Sequence, residues 1–285
     1  MTTFLLWSLR GLWAVLPVAL GPSLDDALAA RSAAVGLVAE ALLWSGWAIG
    51  LVAVLVPRTV SLTTVRILSP LALVTALGAA FAGGVTAGDL LGGATTAAIV
   101  VVAFTPQIGE AFVDGSSYGP ERRLPLRPPA ALLFGPVEFA AALVGIGAVV
   151  GPLLLAAHQW LPGIILCVVG PIAAVFAARA LHGLSRRWLV LVPGGIVVHD
   201  PLTLGDPVLM PNESLVSVAP APADSDATDL TQRASGLAVE IRLAEPGEFV
   251  LLQPGRNEGE IVTTAAVLVT PSRPAELIDE VGARF

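Results

Sequence analysis

Long apolar runs broken by short polar stretches fill the first 185 residues, and short alternating runs fill the remainder. A helix rising 1.5 Å per residue needs about 20 mainly apolar residues to cross a hydrocarbon layer of about 30 Å. Residues 33–56 meet this with Glu40 as their one charge, while 67–88 and 90–109 carry none, with Gly83–Gly84 and Asp89 marking the turn between them. Residues 139–178 are forty positions without a charge, too long for one span, and the break His158-Gln159-Trp160-Leu161-Pro162-Gly163 divides them into about 130–156 and 161–181. Trp160 suits a membrane–water interface. At the start, Phe4 to Leu20 is apolar except for Arg10, and Ala27-Leu28-Ala29 has the letters of a signal-peptide cleavage site. The residues before Arg10 are as apolar as those after it, so a retained helix is the expectation and a signal peptide the alternative.

After Arg187 the period shortens. Trp188–Val192 and Ile196–His199 flank Pro193-Gly194-Gly195, a hairpin signal. Further strand-like runs follow at 207–210, 214–218, 237–243, 249–252 and 261–269. Residues 219–235, rich in Ala, Pro, Asp and Ser, predict a long mobile loop. The chain closes on a helix that Ser272 can cap, with Pro274 and Glu276 in its first turn and Leu277, Ile278 and Val281 on one face. The expected fold is a membrane protein, an α-helical bundle of six transmembrane helices over 1–185 followed by a β-rich domain with a terminal helix over 186–285.

Composition strengthens this. Hydrophobic residues make up 55% and charged ones 13%, against a usual charged share of about 25%, and the mean hydropathy is +0.82. A soluble domain of this size must cover itself with polar groups that this chain lacks. All fifteen basic residues are Arg, a coding bias that points to a high-GC, actinobacterial genome. The single cysteine, Cys167, excludes an intramolecular disulfide and reads as a small buried hydrophobe. Small-residue pairs at helical spacing, Gly46/Gly50, Gly88/Gly92 and Gly147/Gly151, suit a compact bundle.

Charge then orients the spans. Residues 1–187 carry ten Arg against eight acids, whereas 188–285 carry five against fourteen. Short cytoplasmic loops are enriched in Arg. Arg58 and Arg66, then Arg122, Arg123 and Arg127, then Arg179, Arg186 and Arg187 fall on one side, against Arg31 alone on the other. Both termini are therefore expected in the cytoplasm of a bacterium, with the stretches near Ser23, near Gly84 and at His158 facing outward and Ser116 inward.

The strand, tight glycine turn and second strand of Trp188–Val198, with the apolar–proline–acidic step of Val208–Val218, resemble bacterial pleckstrin-homology-like (PH-like) domains. That resemblance covers about a third of the chain and implies several short strands closed by the terminal helix. Membrane-binding members use basic residues around an early strand pair, and positions 188–232 contain none, so phosphoinositide binding does not carry over. The apolar part resembles uncharacterised actinobacterial multi-pass membrane proteins, which implies no activity.

Little here points to catalysis. Gly115-Ser116-Ser117-Tyr118-Gly119 matches G-x-S-x-G by letter, but no strand precedes it and Pro120 follows. The lack of Lys excludes a Walker A lysine, and His158, His182 and His199 have no Cys or carboxylate at metal-ligand spacing. No catalytic, cofactor or metal site and no nucleic-acid partner is expected.

Two features remain. Arg10, Glu40 and Glu138 lie inside spans, where a charge costs about 2.5–3.5 kcal/mol at mid-helix on insertion scales. Arg10 and Glu138 share a computed depth and suggest an ion pair; the two carboxylates alternatively mark a proton or ion path. The second feature is the proline-stiffened strip holding Arg122, Arg123 and Arg127, which enforces topology, holds anionic lipid headgroups or docks the acidic C-terminal domain. The function expected is a non-enzymatic scaffold or accessory subunit of cell-envelope machinery, partnered by the bilayer and by other membrane proteins. The alternative is a small transporter or lipid-handling protein using Glu40 and Glu138.

Overall fold

A computed structural model describes residues 1–83, 85–252 and 259–284, so the expected outward turn at Gly84 lies outside the described residues. The chain forms two compact units. Residues 1–112 and 138–182 make a helical unit, and 113–137 and 183–285 make a β-rich one. The sequence boundary near 186 assigned 113–137 to the helices; their place in the second unit follows from a strand described below.

Among the described residues, five helical stretches are long and apolar enough to cross a membrane: Thr2–Leu28, Ala33–Leu55, Thr59–Ala82, Ala130–Ala156 and Trp160–Leu184. The first comprises α1 (Thr2–Ala14) and α2 (Leu16–Leu28), separated at Val15 just before Pro17. It is packed into the unit: Leu9 and Trp13 are buried, and Trp13 and Trp47 each donate an indole N–H to the other's carbonyl at 3.0 Å. α3 (Ala33–Leu55) starts on the Ser32 side chain, which accepts from Val35 N.

The next helix begins earlier than its charge pattern suggests. α4 (Thr59–Gly83) takes in Arg66, which the charge pattern assigns to a loop. Leu62, Val65 and Ser69 recur at helical spacing and are buried, so the inward face carries the helix past the arginine.

The expected span over 90–109 is broken. α5 (Ala87–Ala103), opened by a Thr86–Asp89 capping box, and α6 (Pro106–Asp114) meet at 62°. Pro106 has no N–H for the carbonyl of Val102, and its ring clashes with a continuing helix. Thr105 Oγ1 donates to that carbonyl instead, at 2.8 Å, and accepts from Ile108 N.

α7 (Pro136–Ala156) and α8 (Trp160–Leu184) turn at His158, whose φ is +59°. They touch where Gly147 faces Gly170, so closely that a Cβ on either would strike the other backbone.

In the β-rich unit, β1 (Arg122–Pro125), β2 (Trp188–Val192), β3 (Gly195–His199) and β4 (Val208–Pro211) form an antiparallel meander. β1 is the strand that sequence reading missed. It pairs with β2 from Arg122↔Leu191 to Pro125↔Trp188, although all of α7 and α8 separate the two in the chain.

The second sheet has the order β5 (Leu215–Pro220), β7 (Val239–Leu252), β8 (Gly259–Val269), β6 (Thr228–Asp229). The two expected runs at 237–243 and 249–252 are one strand, irregular between Arg242 and Gly247. The expected long loop at 219–235 is also corrected. It contributes β6, parallel to β8, and buries Leu230, because its Asp and Ser side chains bond locally: Thr231 N donates to Asp229, and Ala227 N donates to Ser225 Oγ.

Leu124, Leu191, Ile196 and Met210 from the first sheet share one core with Ile241, Phe249 and Val267 from the second, and α9 (Pro274–Arg284) closes it with Leu277 and Val281.

Candidate functional site

The three charges expected inside spans, Arg10, Glu40 and Glu138, have distinct surroundings. Arg10 turns to the end of α3, its Nε donating to Val54 O at 3.1 Å and its guanidinium lying 4.9 Å from the Trp7 ring centroid. Carbonyls left open at a helix C-terminus are natural acceptors for a cation. Glu138 sits in the first turn of α7, where a carboxylate faces the positive end of the helix dipole, and it is engaged and exposed. Glu40 is exposed and lines an open groove of about 350 Å³ with Asp25, Arg31 and Ser32.

Sequence reading passed over a polar group at one end of the helical unit. Thr63 Oγ1 lies 3.0 Å from His182 Nδ1, which sets the start of α4 beside the end of α8. Glu110 on α6 is buried and engaged. Arg66 is half-buried, with its Cζ 5.6 Å from the Phe104 ring centroid. A Cβ on residue 109 would stand 2.9 Å from Arg66 Nη2, so Gly109 leaves room for the guanidinium. The apolar surroundings of these residues had hidden them, since each alone looks like an interface or loop residue.

Arg122 and Arg123 of the basic strip lie on β1 of the first sheet, and Arg127 follows that strand. Arg122 Nη1 donates to Asp114 Oδ2 at 2.6 Å and Nη2 to Glu276 Oε1 at 3.0 Å, while its Nε lies 3.3 Å from Glu280. Arg273 pairs with Glu276, and Arg284 with Glu280. One arginine on β1 thereby ties the end of α6 to α9. Arg123 pairs with Glu121 and lies 5.8 Å over the Trp188 ring, which itself stacks on His199 at 4.6 Å. Arg127 donates from its side chain to Ser235 O and from its backbone to Thr270 O. Ser117, central in G-x-S-x-G, donates to Asp114 and so serves this turn.

Behind the strip lies a buried ion pair. Arg187 Nε and Nη2 donate to Asp200 Oδ1 and Oδ2 at 2.9 and 2.7 Å, and Nη1 donates to Arg127 O at 2.7 Å. Asp200 also accepts from Leu202 N and Thr203 Oγ1, so both charges are bonded on all sides. The Asp-Pro-Leu-Thr sequence at 200–203 was the available signal, an acidic turn starter followed three residues on by a hydroxyl. Glu240, held by Ser225 Oγ at 2.5 Å and then by Arg242, has its carboxyl lowered below the ordinary value by those hydrogen bonds, and Arg242 is raised in return by the same carboxylate.

Comparison of the chain with protein-family models, curated proteins and solved structures finds no match. The functional reading therefore stands on the residues themselves.

Proposed function

We propose that the chain is a six-span protein of a bacterial cytoplasmic membrane with both termini inside, acting without catalysis as a scaffold or accessory subunit of envelope machinery. The observation that carries the membrane part is the outer wall of the helical unit. Phe81, Leu161 and Phe176 are 89, 74 and 66% exposed there, alongside many other large apolar residues. Water does not tolerate so much contiguous apolar surface, and lipid does. The bent pair α5–α6 serves as the sixth span. Arg10, Arg58, Arg66 and Arg179 gather at the end where α3 stops and α4 starts, in keeping with a cytoplasmic side there.

The scaffold part draws on the β-rich unit, which we read as PH-like: two sheets around one core with a terminal helix as lid. Its early-strand arginines already hold carboxylates or carbonyls, which favours a protein contact over a headgroup contact at that sheet. Val216, at the irregular position of edge strand β5, and Leu209 on edge strand β4 are 60 and 52% exposed. Open strand edges and apolar side chains upon them are docking features. A photo-crosslinking residue at Val216 in native membranes is expected to give one discrete protein adduct. Lipid adducts alone would sink the scaffold reading.

A second reading, transport or lipid handling through Glu40 and Glu138, draws on the groove beside Glu40. One set of variants separates the two. In a Cys167→Ser background, cysteines at Asp26 and His158 are expected to react with an impermeant thiol reagent in intact cells, and one at Ser116 only after permeabilisation. A cysteine at Glu40 reacts from the outside alone in a scaffold, and from both sides in a transporter.

A further inference from the structure

Among the described residues, the arginines that are not exposed have acceptors, with one exception. Arg10 has the carbonyls of α3, Arg122 and Arg123 have carboxylates, Arg127 has Ser235 O, and Arg187 has Asp200. Arg66 is off the surface yet has no acceptor among the described residues; its Nε is fully buried and unbonded. A guanidinium carries five N–H donors and a permanent charge, so leaving it in an apolar wall without an anion is costly.

The surroundings are shaped for it. Phe104 supports the face of the guanidinium, and Gly109 provides the space beside Nη2. One turn on, Ser69 Oγ is fully buried and also unpartnered. Arg66 lies about 10 Å along α4 from its first residue, a depth from which an arginine reaches the interfacial region.

The geometry points to Arg66 as the seat of a phosphate-type anion, supplied by the headgroup of an anionic membrane lipid. The planar guanidinium fork matches a phosphate bidentately. Phe104 and Val101, one turn apart on the same face of the helix end, are 47 and 69% exposed and offer an apolar track for the acyl chain. A free phosphate would gain nothing from that track. The inference rests on the membrane reading above and moves the headgroup contact from Arg122, Arg123 and Arg127 to a residue whose charge is unanswered.

The test uses the full chain, purified in neutral detergent and followed by its melting temperature. Phosphatidylglycerol in mixed micelles is expected to raise the melting temperature of the native protein, and phosphatidylcholine or inorganic phosphate at the same concentration to leave it unchanged. Arg66→Gln is expected to weaken the phosphatidylglycerol effect about fivefold in midpoint concentration. Gly109→Ala, which keeps the charge and displaces the guanidinium, is expected to weaken it as well and guards against a folding defect in the first variant. Stabilisation by inorganic phosphate as strong as that by phosphatidylglycerol would overturn the lipid source. Equal lipid response in the native protein and both variants would overturn the site. Extraction of the native protein from membranes by alkaline carbonate would instead bring down the membrane reading beneath it.

Discussion

A fragment of residues 186–285, the domain that the hydropathy edge suggests, is expected to lack a cooperative unfolding transition. The same fragment with residues 113–129 joined ahead of it by a short linker is expected to regain one. The reason is β1. Without it, β2 keeps β3 but loses the ladder on its other side, and Leu124 and Leu126 leave the core. Removing a buried leucine side chain commonly costs about 2–5 kcal/mol, and two such losses rival the total stability of a small domain, about 5–15 kcal/mol. Arg187 also loses the carbonyl of Arg127, and Glu276 and Glu280 on α9 lose Arg122. Denaturant titration followed by Trp188 fluorescence would decide it. A sharp, reversible transition in the short fragment would show that β1 is dispensable.

Asp200→Ala is expected to destabilise the β-rich unit by about 3–5 kcal/mol, because it leaves the Arg187 guanidinium buried beside nothing negative. Asp200→Asn keeps the shape but not the charge and should come close behind. The double change Arg187→Met/Asp200→Leu is expected to be milder than either single change at Asp200, since no charge is stranded; it still leaves Leu202 N and the Thr203 hydroxyl without their acceptor. Melting of the full chain in detergent measures all three. A single variant within about 1 kcal/mol of the native protein, the range of an exposed pair, would mean that Asp200 is not the partner that matters.

How much of this could be read from the sequence depended on distance along the chain. The apolar stretches, the β2–β3 hairpin at Pro193–Gly195 and the terminal helix are local patterns, and the structure has all of them. Pro106 was readable too, yet the uncharged run from 90 to 109 concealed its effect, because lack of charge says nothing about straightness. β1 was out of reach. Four residues, Arg-Arg-Leu-Pro, hold two arginines and a proline, and their partner strand begins more than sixty residues later. The same separation hid the roles of Arg122 and Arg187: a positive residue near an apolar run looks alike whether it faces solvent, lipid or a carboxylate from a distant turn. Arg66 shows the converse, since the next residues continue the helix while its charge suggested a loop.

The pairing of β1 with β2 also fixes an order of events during synthesis. β1 emerges before α7 and α8, and β2 after them. A chain made from its N-terminus therefore holds a lone edge strand, with Arg122 still short of its carboxylates on α9, while α7 and α8 are being made. Only when both helices have been made does Trp188 reach Pro125, and only then can Arg187 find the carbonyl of Arg127. A chain that stops short of Trp188 is left with β1 lacking its partner strand, so the β-rich unit can close only after α7 and α8 are complete.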